Sequence, residues 1–187
     1  MDDAMRLADR FAIEQCLLRY CRGIDRKDWD AARAAYHPDA HDDHGNYKGN
    51  IDGFIASVIE RHQTIEQSTH AISNTQIEFA GPDSALVETY FIVHQRHVPC
   101  DVGPYAHFIR GRMPTAEEGL EVETVGRYVD RFTRRDGAWK IARRVVVFEV
   151  YRAHAAPAGG GLMKNWVNTR RDGTDAVELA RQEMGLV

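Results

Sequence analysis

Cysteine is scarce: three of 187 residues, at Cys16, Cys21 and Cys100, an odd count with no Cys-x-x-Cys spacing. That argues against a disulfide framework and a cysteine-built zinc site, and makes a reduced, cytoplasmic protein the expectation. No apolar run approaches the ~20 residues that a membrane-spanning helix needs. The acidic opening Met1-Asp2-Asp3-Ala4 lacks the basic and apolar blocks of a secretory leader. Basic charge is not in excess either, with a formal net charge of −4. Arginines gather only as pairs, at Arg134-Arg135, Arg143-Arg144 and Arg170-Arg171. Pairs read as solvated strand or loop ends rather than a basic stripe, so neither nucleic acid nor membrane is expected as a partner.

What is present is an ordinary globular balance, 43% hydrophobic and 28% charged, in a chain long enough for one buried core. Apolar residues recur at helical spacing over 4–24 (Leu7, Phe11, Ile13, Leu17, Tyr20, Ile24). A second helix is expected over 29–36 with Asp28 as its N-cap, stopped by His37-Pro38-Asp39, and a third over 52–65. The pattern then changes to strands at 70–80, 84–98, 121–134 and 138–151, the last two joined by Asp136-Gly137, a hairpin signal. Helices first and antiparallel strands afterwards indicate an α+β fold. The strand connection 98–120 is long enough to suggest a lid or binding loop. After residue 152 a Gly-rich linker at 156–161 leads to a last helix, Asp175 to Met184, capped by Thr174. The expected division is therefore one domain over 1–152 and a dependent tail over 153–187.

Two polar residues interrupt these patterns. Leu17, Cys21 and Asp25 are spaced i, i+4, i+8, which continues a mostly apolar stripe into a carboxylate. A carboxylate there is costly unless paired. His70 opens a strand and shares a face with Ile72 and Asn74. If the fold joins Asp25 to His70, the carboxylate orients an imidazole that can act as a general base. The dense run His37, Asp39, His41, Asp42, Asp43, His44 has metal-ligand chemistry. Strand alternation would split its members between two faces, however, and the proline makes the first two turn residues, so no metal is expected. Of this run His41 and Asp42 are expected at the surface. Arg143 and Arg144 alternate on the last strand, and the sequence does not say which is inside. His107, with Tyr105 and Phe108, lies in the long connection and could close over a ligand.

Taken together, Tyr20-x-Arg22-x-x-Asp25-x-x-x-Trp29-Asp30, Tyr36-His37-Pro38-Asp39-Ala40, Asp43-His44-Gly45, His70-x-x-x-Asn74 and Asp136-Gly137-x-Trp139-Lys140-Ile141 resemble the SnoaL-like branch of the nuclear transport factor 2 superfamily. The likeness runs over residues 5–152. It implies a cone of three helices on a curved antiparallel sheet around a deep apolar pocket. It further implies a cofactor-free lyase or dehydratase in which His70 is the base, Asp25 its orienting partner and Tyr20 a hydrogen-bond donor or acid. Substrate-binding candidates are then His44, Asn74, His107, Arg144 and Trp29, and the partner is a hydrophobic small molecule. Homo-oligomerisation is implied as well, a trimer before a dimer. The same fold leaves room for a ketosteroid-type isomerase, or for a non-catalytic module such as a dioxygenase small subunit.

Overall fold

A computed structural model describes residues 3–157 and 163–186; the Gly159–Gly161 stretch expected as a linker lies outside them. The helices are α1 (Asp3–Arg26), α2 (Trp29–Ala34), α3 (Ile51–Arg61) and α4 (Ala176–Glu183). The strands are β1 (Tyr36–Asp43), β2 (Lys48–Asn50), β3 (Ile65–Phe79), β4 (Ser84–His97), β5 (Gly119–Arg135) and β6 (Ala138–Ala156), with a 3₁₀ helix over Gly103–Phe108. This is the expected α+β class, although β1 and β2 come between α2 and α3 rather than after all three helices. The strands form one sheet in the order β2-β1-β6-β5-β4-β3. Its long members pair antiparallel, but β1 runs parallel to β6, which an all-antiparallel expectation lacks.

Helix α1 presents Ile13, Cys16, Leu17, Tyr20 and Ile24 to the core, while Leu7 and Phe11, on the same spacing, are 70% and 62% exposed. Gly23 does not end this helix. A Cβ there would lie 2.7 Å from the backbone nitrogen of Ala32, so glycine lets α2 cross closely over α1. The chain turns at Lys27, in the left-handed region (φ 60°). Asp28 N donates to Gly23 O at 2.9 Å and Lys27 N to Ile24 O at 3.4 Å, closing a Schellman-type end. Asp28 then caps α2 as expected, accepting from Ala31 N at 3.0 Å. Helix α3 stops at Arg61 rather than 65, because Ile65 already pairs with His97 as the start of β3. The last helix is capped by Asp175, not Thr174.

The β5–β6 turn has positive φ at both Asp136 and Gly137 (51° and 77°), which is what an Asp-Gly hairpin requires. Register shifts within the β3–β4 and β5–β6 pairs bend the sheet. At the shift beside Gly126 a Cβ would lie 2.2 Å from Val147 O. Only glycine fits that close approach. The bend wraps the sheet's inner face around the cavity described below.

Candidate functional site

Asp25 sits in the last turn of α1 and is 8% exposed. Three donors from β3 converge on its carboxylate. Ser68 Oγ donates to Oδ1 at 2.8 Å, His70 N to Oδ2 at 2.8 Å, and His70 Nδ1 meets Oδ1 at 2.6 Å. Burial pushes the Asp25 carboxyl up, but the bonds from His70 and Ser68 outweigh it and hold the group below its ordinary value. An ionised carboxylate only accepts, so the proton in the 2.6 Å contact belongs to His70 Nδ1. Nε2 is left as the ring atom available to a ligand, with no hydrogen-bond partner among the described residues. This is the geometry by which a carboxylate fixes an imidazole's tautomer and orientation.

The helix end that carries Asp25 is clasped from the tail. Arg171 donates through Nε to Asp25 O (2.6 Å), through Nη2 to Ile24 O (2.8 Å) and through Nη1 to Ile65 O at the start of β3 (2.7 Å). A cation on the orphan carbonyls of a helix C-terminus is doubly favourable, through hydrogen bonds and through the helix dipole. The Arg170-Arg171 pair is therefore not simply a solvated loop end. Arg171 Nη2 also lies 2.7 Å from His62 Nδ1. A guanidinium cannot accept, so that nitrogen must carry a lone pair and the ring must be neutral. Burial, then the Arg171 charge, pushes the His62 pKa down to about 2.

A stability prediction follows from this contact. Below about pH 6.5 the unfolded chain binds a proton at His62 that the folded state refuses. Stability is then fully present above pH 6.5 and falls by about 1.4 kcal/mol per pH unit toward the folded value. His62→Gln, which keeps an acceptor but does not titrate, should flatten the fall between pH 6.5 and 4.5 by about one proton's worth. Urea titrations across that range read the slope.

The cavity has a volume of about 730 Å³. Its walls are His44, Gly45 and Asn46 of the β1–β2 turn, Ser57, Glu60 and Arg61 of α3, and Phe91, Val93 and Gln95 of β4. Thr124 and Tyr128 of β5, Val146, Phe148 and Tyr151 of β6, and Pro104, Tyr105 and Phe108 of the 3₁₀ helix complete them. The long connection thus covers the cavity with Tyr105 and Phe108, while His107 is exposed and outside the lining. His70 is not itself a lining residue, but it pairs directly with Val93, and Ser68 with Gln95. Directly paired residues share a face of the sheet, so the imidazole stands on the cavity side beside two lining residues. Gln95 Nε2 also reaches Ser68 Oγ, at 3.5 Å.

The remaining sequence candidates separate. His44 lines the cavity. Tyr20 is buried, with its ring edge-on to Tyr36 and Tyr128 at 5.8 and 5.9 Å. Burial raises its hydroxyl pKa, so it is held protonated as a donor. Trp29 packs edge-on against His62 at 5.6 Å, away from the lining. Asn74 is exposed at the β3 register shift, in left-handed conformation (φ 47°). That conformation suits asparagine and bends the strand.

Of the arginine pair on β6, Arg144 is inside and Arg143 exposed. Arg144 is fully buried and pairs bidentately with the equally buried Asp130 at 2.8 and 2.7 Å. Its guanidinium also stacks on Tyr128 (3.9 Å) and Tyr20 (4.4 Å). It meets the cavity through Tyr128 rather than directly. Asp42, expected at the surface, is 0% exposed. Pairing β1 parallel to β6 sets it opposite Arg144. Its oxygens take Tyr36 OH at 2.8 Å and His44 Nδ1 at 2.7 Å. No local pattern marks Asp42 as interior; the parallel pairing does. Among the described residues, no group of three or more His, Cys, Asp or Glu side chains is placed to hold a metal ion. No described helix is long and apolar enough to cross a membrane.

A family model described as a SnoaL-like domain matches residues 5–145. No curated protein matches. Among solved structures, a candidate scytalone dehydratase from Novosphingobium aromaticivorans superposes with a TM-score of 0.65 at 20% identity, over 86% of this chain and 100% of its own. A type 2 hexachlorocyclohexane dehydrochlorinase gives 0.66 at 16% identity, over 88% of this chain and 100% of its own. A candidate aromatic ring hydroxylase from Novosphingobium aromaticivorans gives 0.63 at 21%, over 79% and 94%. At these identities the likeness is one of fold.

Proposed function

Because the chain belongs to the SnoaL-like domain family, we propose that it is a cofactor-free lyase acting on a hydrophobic cyclic or aromatic small molecule. The observation that carries this reading is the buried Asp25–His70 contact of 2.6 Å beside the cavity wall. His70 Nε2 takes a proton from the substrate, and Asp25 stabilises the imidazolium that forms. With the proton drawn from carbon, the C–H electron pair becomes a double bond as water leaves the adjacent carbon. With the proton drawn from a hydroxyl, the O–H pair becomes the carbonyl of a released fragment such as formaldehyde, the adjacent carbon–carbon bond breaks, and its pair becomes a new double bond as a leaving group departs from the next carbon. Tyr20 keeps the donor-or-acid role that the resemblance implies, although it packs on the lining residue Tyr128 rather than lining the cavity itself, and burial keeps its hydroxyl protonated. Tyr105 and Phe108 form part of the cavity wall, and a bound apolar substrate that displaces water there strengthens both electrostatic effects.

Two of the solved relatives are described as a candidate scytalone dehydratase and a hexachlorocyclohexane dehydrochlorinase. Both names denote eliminations, which accords with this reading. The test is a turnover screen over steroid, lignin-dimer and polyketide-like compounds, with product masses separating loss of water from loss of formaldehyde. Absence of turnover across all three classes counts against the lyase reading. The reading also includes self-association, with a trimer before a dimer, to be checked by sedimentation equilibrium.

A further inference from the structure

His44 repeats the Asp25–His70 arrangement at the other margin of the sheet. It follows β1, whereas His70 lies on β3, the opposite edge strand. Its Nδ1 meets Asp42 Oδ1 at 2.7 Å, and Tyr36 OH holds the other carboxylate oxygen at 2.8 Å. The ring stacks on Phe54 with centroids 4.7 Å apart and planes 29° apart. It is therefore fixed in orientation by a buried carboxylate on one side and an aromatic face on the other. Unlike His70, it lines the cavity itself. Nε2 has no hydrogen-bond partner among the described residues.

The protonation state follows from the chemistry of the pair. Burial pushes the Asp42 carboxyl up, but His44, Arg144 and the Tyr36 hydroxyl outweigh it, and the group stays below its ordinary value. An ionised Asp42 can only accept, so the Nδ1 proton is His44's. Burial lowers the pKa of His44 in spite of Asp42, which keeps the imidazole neutral. A neutral ring protonated on Nδ1 carries a lone pair on Nε2. The cavity wall thus presents an acceptor beside Tyr128, at the end formed by Gly45 and Asn46. Of the nearby polar groups, the Ser57 hydroxyl is already spent on Phe54 O at 2.7 Å.

We propose that the Asp42–His44 pair is a substrate-recognition site that accepts the O–H of a hydroxyl-bearing apolar ring compound at His44 Nε2. A ligand lying across the cavity would meet His44 at one wall and Val93 and Gln95, beside His70, at the other. The inference rests on the reading above only in taking this cavity as the substrate site, and it narrows the substrate class to hydroxylated rings. Recognition is separate from the chemistry: His44 holds one hydroxyl while His70 removes a proton elsewhere on the molecule.

The test is equilibrium binding of 2-naphthol and 2-methoxynaphthalene, which share a ring but differ in the donor, by titration calorimetry. The wild-type protein should bind the naphthol about tenfold more tightly than its ether, the value of one well-made hydrogen bond to a buried acceptor. His44→Leu should bring that ratio close to one. His44→Gln, which retains an acceptor, should restore part of it, and His70→Ala should leave it unchanged. A wild-type ratio near one, failure of both compounds to bind, or a ratio that survives in His44→Leu overturns the proposal. Because the readout is binding, failure of the lyase reading alone would leave these outcomes intact, and failure of this proposal would leave the expected loss of turnover in His70→Ala intact.

Discussion

Replacing His70 by alanine is expected to lower turnover by about 10²- to 10⁴-fold, the usual worth of a positioned general base, while circular dichroism and ligand binding remain close to wild type. The residue is half-buried on a strand whose pairing with β4 runs the length of both elements, so its side chain is not what holds the sheet. Asp25→Asn should act in the same direction for a different reason. An amide can place its own N–H against His70 Nδ1, which favours the wrong tautomer and moves the proton to Nε2. Asp25 differs from His70 in its effect on stability, because its carboxyl is held below its ordinary value. That contribution is present above the unfolded value of ~4 and is lost as pH falls through the folded one. Asp25→Asn should therefore weaken the fold at neutral pH, whereas His70→Ala should not do so to the same extent. Turnover unchanged in both variants would refute the role of the pair.

Arg144→Met should be the most damaging single change to folding. Arg144 and Asp130 are both 0% exposed and joined by two hydrogen bonds. Burial works against the charge on Arg144, but the Asp130 carboxylate outweighs it, and the guanidinium stays ionised. Removing the arginine leaves a buried carboxylate without its partner, at a cost of about 3–5 kcal/mol. The two aromatic contacts below 4.5 Å, to Tyr128 and Tyr20, go with it. Against a typical total stability of ~5–15 kcal/mol, such a loss leaves little margin. Arg144→Met combined with Asp130→Leu removes both charges and should recover much of it. Chemical denaturation of the single and double variants decides the matter. A single variant as stable as wild type would mean that the pair is not holding the β5–β6 core.

Where sequence and structure part company, the reasons are specific. Strand β1 carries Asp39, His41, Asp42 and Asp43, residues of low strand propensity. Its formation depends on pairing with β6, which propensity does not report. Ile65 fits the helical spacing of α3, yet it belongs to β3 because His97 offers it a partner. Helix α1 reads as amphipathic from Leu7 onward, yet its first turns meet the sheet through Arg6, Asp9 and Arg10, which engage Phe79, Trp139 and Ile77, and Leu7 and Phe11 stay exposed. By contrast, the Asp28 cap and the Asp136-Gly137 turn are local geometry, and both were legible.

The candidate site divides in the same way. Asp25 and His70 stood out because each interrupts an apolar or strand pattern, although they are 45 positions apart. His44 stood out only through the family resemblance, which implies a pocket strand at that point of the chain. Asp42 and Arg171 gave no such signal: one sits in a polar run and the other in an arginine pair of a tail. The first becomes interior by parallel pairing across 102 positions, from 42 to 144. The second caps α1 across 146 positions.

The sequence by itself determined the α+β class, the four long strands that follow α3, the turn chemistry and the residue types of the proposed base and its orienter. These rest on periodicity and on near-neighbour geometry, which act over a few residues. Only the tertiary structure decided which polar residues are taken out of water. It paired Asp42 with His44, enclosed Arg144 with Asp130, and set the tail arginine on the end of α1. Burial is a property of the assembled sheet and helices, and it is burial that holds the His44 imidazole neutral.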